Sequence, residues 1–236
     1  MTVKGNSQLS MSNCIISNSK KYGLFVVNED VQLPVFEQND ISQCTDYPIR
    51  LYTNQLHYLD STTHFLNNGD NSAVEVTGSE LSENVVWKNL RAPVLFTGPY
   101  NNIQGDVTVE AGSVFLMGPE ALIRVKSEGS FHLNGTIDEP IIIKGKVDSP
   151  GYFASITFED SNNSLNEMNN VHLANGGGGY YNSNIAITGS THLKVSNCNI
   201  SSSSGHGLYV SRYSTLTDMG NNTFSAITGD DIFIQQ

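Results

Sequence analysis

The feature that most constrains this fold is a recurrence of apolar residues every 23–25 positions. Each recurring residue lies in a short run in which apolar and polar side chains alternate, which is the pattern of a half-buried β-strand. Glycine, asparagine and serine separate the runs, and these residues favour turns. The clearest series are Leu9, Leu33 and Leu56 near the N-terminus, and Ile185, Leu208 and Ile232 near the C-terminus.

Three interleaved series occupy each period, so one period describes three short strands. One such unit cannot bury its apolar face alone, but stacked units bury a continuous core. The sequence therefore predicts an all-β fold, a single-stranded right-handed parallel β-helix solenoid with 23–25 residues and three short strands per coil. We expect one β-helix domain over residues 1–236, because no linker interrupts the pattern. Residues 79–90 fit neither period well and are consistent with a short helix or an irregular strand.

Two segments 184 residues apart, Leu9 to Val26 and Leu193 to Val210, align without a gap and are identical at ten of 18 positions. The match places Cys14 and Cys198 at the same phase of the repeat. Coils stacked at roughly 4.8 Å would separate these cysteines by about 35–40 Å, whereas a disulfide needs Cα atoms within about 7 Å. Cys14 and Cys44 are about one coil apart but differ in phase. The sequence therefore predicts three free thiols.

Composition restricts the partners and the location. Lys plus Arg total 12 against 23 Asp plus Glu, a net charge of −11, and nucleic-acid binding needs clustered cations, so such a surface is excluded. No stretch of 18 apolar residues is present, which excludes a membrane-spanning helix. Residues Met1 to Gly5 lack the apolar segment of a signal peptide, and neither end has a polar cap. We expect a module whose end coils are covered by flanking domains of a larger protein or by another copy.

The segment from Gly105 to Gly178 resembles the coils of bacterial right-handed parallel β-helix repeat proteins with pectin-lyase-like architecture. The motifs that carry the resemblance are Val107 to Gly112, Gly135-Thr136 followed by Pro140-Ile141, and Gly151 to Phe158. Phe153 and Ser155 replace the tryptophan and glycine that are usual in the family. The resemblance implies the fold and an extracellular or cell-surface location, and it implies no particular chemistry.

One pair of motifs is similar to those of polygalacturonases, which are β-helix enzymes. Gly229-Asp230-Asp231 and Gly205-His206-Gly207 resemble their Gly-Asp-Asp and Gly-His-Gly motifs, in which carboxylates protonate the leaving oxygen and activate water. The spacing of 24 residues is one coil, so His206, Asp230 and Asp231 are candidate neighbours. The order of the motifs is reversed, however, and His206 aligns with Tyr22. We therefore assign no catalytic residue, and these three stay the candidates of an enzymatic alternative, a polysaccharide lyase or glycoside hydrolase acting on acidic or plant-type polysaccharide.

The candidate ligand-binding residues are two tyrosines. Tyr180 and Tyr181 follow the run Gly176 to Gly179 and are candidate sugar-stacking residues on a flexible loop, the alternative being a long structural turn. No three carboxylates lie with an arginine at a coil spacing, so no metal and no cofactor are assigned, and a structural calcium ion at a turn stays an open alternative. Trp87 is expected to pack inside. The predicted function is a non-enzymatic extracellular or cell-surface module, a structural spacer or an adhesion surface that binds polysaccharide or another surface glycan.

Overall fold

The chain forms a parallel β-solenoid of about nine coils. The computed structural model describes residues 1–65, 67–68 and 72–236, and the helix in this part of the chain is a 3-10 helix, Thr53–Tyr58. No helix in these residues is long and apolar enough to cross a membrane. The predicted all-β parallel solenoid is confirmed. In chain order the strands are β1 (Thr2–Val3), β2 (Gln8–Ser12), β3 (Ile15–Ser17), β4 (Leu24–Val26), β5 (Gln32–Glu37), β6 (Asp40–Ser42), β7 (Ile49–Tyr52), β8 (Val74–Thr77), β9 (Glu80–Leu81), β10 (Val85–Trp87), β11 (Val94–Thr97), β12 (Asn101–Ile103), β13 (Asp106–Val109), β14 (Val114–Met117), β15 (Leu122–Lys126), β16 (Ser130–Asn134), β17 (Ile141–Gly145), β18 (Ser155–Glu159), β19 (Glu167–Asn169), β20 (Val171–Ala174), β21 (Ser183–Thr188), β22 (His192–Ser196), β23 (Asn199–Ser203), β24 (His206–Val210), β25 (Thr215–Asp218), β26 (Thr223–Ile227) and β27 (Ile232–Ile234).

Three long sheets form the faces of the solenoid. The ten-stranded sheet has the order β1-β4-β7-β8-β11-β14-β17-β20-β23-β26, the seven-stranded sheet β9-β12-β15-β18-β21-β24-β27, and the six-stranded sheet β10-β13-β16-β19-β22-β25. Two-stranded sheets, β2-β5 and β3-β6, complete the N-terminal coils. Residues 79–90 contribute the short strands β9 and β10, so the strand interpretation of this segment is the right one.

The core is built by equivalent apolar residues that stack from coil to coil. Ile185 pairs with Leu208, and Leu208 with Ile232, which is the series predicted from the sequence. Trp87 is 1% exposed, and its ring lies 5.6 Å from Phe96 and 5.6 Å from Phe131 between ring centroids. The predicted internal packing of Trp87 is therefore confirmed, and its aromatic neighbours come from three of the surrounding coils.

A buried asparagine closes the same kind of corner three times. At each corner the backbone N–H of a cysteine donates to the Oδ1 of an asparagine one coil later. The Nδ2 of that asparagine donates to the carbonyl of the residue three places before the cysteine. The pairs are Cys14 with Asn39 (3.0 Å), Cys44 with Asn68 (2.9 Å) and Cys198 with Asn222 (2.9 Å). All three thiols are free, as predicted.

The two aligned segments occupy different faces of the solenoid. Leu24 lies in β4 of the ten-stranded sheet, whereas its aligned partner Leu208 lies in β24 of the seven-stranded sheet. The change takes place between β7 and β8. The two-stranded sheets end before this coil, the seven- and six-stranded sheets begin after it, and the 3-10 helix lies within it. The second copy of the repeat is thus rotated by one face relative to the first.

Candidate functional site

His206 and Asp230 are neighbours at the corner before β24. His206 Nδ1 lies 3.5 Å from a carboxylate oxygen of Asp230, so the 24-residue spacing predicted this neighbourhood correctly. The backbone N–H of Asp230 donates to the same nitrogen at 3.1 Å. A ring nitrogen that accepts a hydrogen bond carries no proton, so Nδ1 does not donate to the carboxylate. The backbone oxygen of Asp231 accepts the N–H of Leu208 at 2.9 Å, so these residues hold a corner together. A catalytic role for the three stays a prediction.

The glycine run before the tyrosines forms a close-packed turn. A Cβ built on any of Gly176 to Gly179 would come within 3.0 Å of neighbouring atoms, and on Gly178 it would overlap the carbonyl of Gly151. Gly177 has a φ of 99°, which a larger residue rarely adopts. The amide of Asn184 accepts the N–H of Gly176 at 2.7 Å. The structural-turn interpretation of this segment therefore fits better than a flexible loop.

This turn presents Tyr180 beside a row of aromatic residues on the outer face of the seven-stranded sheet. We define the aromatic row as Tyr181, Tyr209 and Phe233, with ring centroids 5.1 and 5.6 Å apart. The His206 ring stacks on Phe233 at 4.6 Å. Tyr180 is 95% exposed and lies 5.1 Å from Tyr181, with the two rings nearly perpendicular. The two predicted tyrosines thus form one end of a larger surface.

Ring orientation decides which surfaces a ligand can reach. Tyr181, Tyr209 and Phe233 are tilted by only 33° and 20° to each other, so they turn their faces mainly toward one another. The exposed ring of Tyr180 leaves its faces open. Burial raises the pKa of Tyr209, and the neighbouring tyrosines add to this shift. The hydroxyl of Tyr209 donates to Gln235 Oε1 at 3.0 Å. A sugar would therefore stack on Tyr180 and meet polar groups and ring edges beside it.

The concave surface nearest to the 3-10 helix was not predicted. Cavities of about 310 and 330 Å³ adjoin the rings of His57 and Tyr58, which line both. The carboxylates that line the first cavity are Glu29, Asp30, Glu80 and Glu83. They come from separate coils, and the irregular coil brings them together. The sequence signal was the interruption of the apolar period after Leu56, which marks the irregular coil without showing what surrounds it.

Buried hydrogen bonds fix the wall of this cavity. Gln55 is 1% exposed, and its Nε2 donates to the carbonyl oxygens of Asn28 at 3.0 Å and Val31 at 2.7 Å. Burial lowers the pKa of His57, although the Glu83 carboxylate, 3.9 Å from Nε2, opposes the shift. A neutral imidazole beside a tyrosine and several carboxylates offers hydrogen-bonding groups to a polar ligand.

A family model described as the right handed beta helix region matches residues 2–143. This match covers more than half of the 236 residues. The chain belongs to the right-handed β-helix family. No curated protein and no solved structure matches it. Within this β-helix protein the cavities beside His57 lie inside the matched segment, and the aromatic row lies beyond it.

A third concave surface of the β-helix combines two acids with a cation. Arg91, Glu110 and Glu139 line an open cavity of about 380 Å³ at the corners that lead into the ten-stranded sheet. An oxygen of Glu110 accepts the backbone N–H of Asn89 at 2.9 Å. The sequence did not single out this set, because its members are 19 and 29 residues apart rather than one regular period. Two carboxylates and a guanidinium are the groups that an acid–base reaction on a polysaccharide needs.

Proposed function

We propose that this β-helix protein is a non-enzymatic glycan-binding module of the extracellular or cell-surface environment, with Tyr180 as its principal contact to sugar. The observation that supports the proposal is the exposed ring of Tyr180 at the end of a close-packed turn. A tyrosine offers a large amphipathic contact area and loses few conformations on binding. The C–H face of a pyranose packs on such a ring, while its hydroxyls bond to polar groups nearby.

The rigid surroundings of Tyr180 favour binding. Ordering a loop on association costs free energy, and a turn that is already packed avoids this cost. The four glycines pack against other turns of the solenoid, and Tyr181 supports Tyr180 from the side of the aromatic row. Asn182 and Ser204 place an amide and a hydroxyl next to the turn, where a sugar hydroxyl can reach them.

The test compares the wild-type protein with Tyr180→Ala and Tyr180→Phe on a glycan array, followed by affinity electrophoresis in the glycans that bind. Tyr213→Ala is the matched control, because Tyr213 is 72% exposed but lies outside the aromatic row. Tyr180→Ala is expected to weaken binding about tenfold, since one ring contact is worth about 1.4 kcal/mol, and Tyr180→Phe to retain most of it. Absence of glycan binding, or equal binding by Tyr180→Ala, would refute the proposal.

The enzymatic alternative has a specific site in Arg91, Glu110 and Glu139. A lyase or hydrolase acting there would release unsaturated or reducing ends from a polysaccharide. Glu139→Gln should then abolish the release, whereas Asp138→Asn, which alters the adjacent carboxylate, should leave it unchanged. Wild-type protein that releases nothing from acidic or neutral polysaccharides would exclude this alternative.

A further inference from the structure

The duplication allows the aromatic row to be compared with its counterpart in the first copy. Phe25 aligns with Tyr209 at the 184-residue offset, and Tyr22 aligns with His206. Phe25 also faces outward, and the Tyr22 ring stacks on it at 5.1 Å. The sequence repeat has therefore built a surface of aromatic rings twice, once on the ten-stranded and once on the seven-stranded sheet.

The two surfaces differ in charge at equivalent positions. The strand partner of Phe25 on the next coil is Arg50, whose guanidinium lies 5.2 Å from the Phe25 ring centroid. The strand partner of Tyr209 on the next coil is Phe233. A cation over a ring in the first copy is thus replaced by a second ring in the other.

Cations are scarce throughout the second copy. The sequence contains no Lys or Arg between Lys146 and Lys194, and only Arg212 beyond Lys194. Lys194 Nζ donates to the carbonyl of Ser164 at 3.2 Å, and Arg212 lies over the ring of Tyr213. Arg124 belongs to the same outward row as Tyr209, but it is three strands away, about 14 Å, and faces Glu159 at 3.5 Å.

Carboxylates, in contrast, lie close to the aromatic row. Asn182, His206 and Asp230 occupy one corner on successive coils, because His206 N–H donates to the carbonyl of Asn182 and Asp230 N–H donates to His206. Asp230 is therefore about 10 Å from the coil position of Asn182, and Asp231 follows it. A bound carboxylate would lose hydration here without gaining the arginine or lysine that recognises it.

We infer that Tyr180 and the aromatic row select neutral glycans and reject those made of uronic acids. This inference rests on the proposed glycan-binding function and adds the charge class of the ligand. The selection follows from Phe233, which stands where the first copy has Arg50, and from the nearby Asp230 and Asp231.

The experiment measures affinity electrophoresis in two neutral polymers, β-glucan and galactomannan, and two uronates, polygalacturonate and alginate. Wild-type protein should bind a neutral polymer through Tyr180, with at least tenfold weaker binding to the uronates. Phe233→Arg introduces the Arg50 arrangement and should raise uronate affinity about fivefold in low salt, with the gain lost in about 0.5 M salt. Tyr213→Arg adds the same charge outside the row and should give no gain.

The outcomes separate the inference from the proposed function. Tyr180-dependent binding that is tighter for a uronate would overturn the inference and leave the glycan-binding function standing. Loss of all Tyr180-dependent binding would remove both. Circular dichroism checks the folding of Phe233→Arg. If that variant does not fold, the double variant Asp230→Asn/Asp231→Asn, which removes two charges about 10 Å away, should raise uronate affinity about twofold. No gain in folded variants would refute the charge argument.

Discussion

The buried asparagine at the first corner gives the sharpest test of what holds the coils together. Asn39 is 1% exposed, its Oδ1 accepts the N–H of Cys14 and its Nδ2 donates to the carbonyl of Met11, both at 3.0 Å. Asn39→Ala leaves both backbone groups without their partner. A buried group without its partner costs about 1–3 kcal/mol, and water reaches the half-buried Cys14 more easily than Met11. We expect a total loss of about 2–4 kcal/mol.

Thermal unfolding followed by circular dichroism measures this loss. At this chain length 1 kcal/mol corresponds to about 2–4 °C, so Asn39→Ala should lower the Tm by about 4–15 °C. Asn199→Ala is the control, because Asn199 is exposed and its side chain has no hydrogen bond to the described residues. A loss as small as that of the control would refute the corner argument.

A second substitution identifies which half of the amide matters. Asn39→Asp keeps the acceptor for Cys14 but places an oxygen opposite the carbonyl of Met11. The ionised form should be less stable than Asn39→Ala, and protonation should restore a donor. Stability of Asn39→Asp should therefore rise as the pH falls, in urea unfolding at several pH values, whereas the stability of Asn39→Ala should change no more than that of wild type.

Leu208→Ala removes a side chain 1% exposed from the stacked series and should cost about 2–5 kcal/mol, whereas Asp230→Ala, on a side chain 66% exposed, should cost less than about 0.5 kcal/mol; equal losses in thermal melts would mean that the core lies elsewhere. Thiol titration should count three thiols in the unfolded, unreduced chain, and Cys14, which is half-buried, should react first in the native protein; a bridge between Cys14 and Cys198 would contradict the solenoid. Burial, followed by a hydrogen bond to Glu75, raises the pKa of Tyr22 from 10.0 to about 12. The folded chain thus holds this proton more tightly, so the stabilisation is complete below about pH 10 and lost as the pH rises toward 12; ultraviolet titration that shows Tyr22 ionising with the exposed tyrosines would contradict this.

The repeat predicted contacts that depend only on stacking. Residues one period apart become strand partners in a solenoid, so Ile185, Leu208 and Ile232 were identified as a stack from their spacing alone. The same reasoning brought His206 and Asp230 together. It could not show that a backbone N–H occupies His206 Nδ1, because this contact depends on the local path of the chain at the corner.

The irregular coil limited what the sequence could predict. A 3-10 helix has no apolar period of its own, so the alignment could not show that the second copy lies one face further around the solenoid. The cavity beside His57 has the same origin, because Glu29 and Glu83 belong to coils on either side of this irregularity. Hydrogen bonds from the buried Gln55, rather than a repeated pattern, determine its shape.

The rotation between the two copies also sets the valency of the molecule. Phe25 and Tyr209 are equivalent in the repeat, yet they point outward from the ten-stranded and the seven-stranded sheet. A straight polymer that lies along the axis over one of them runs on a different side from the other. Ligands held at both surfaces would therefore leave the module in two directions, so that a single rigid rod could join two separate chains into a mesh.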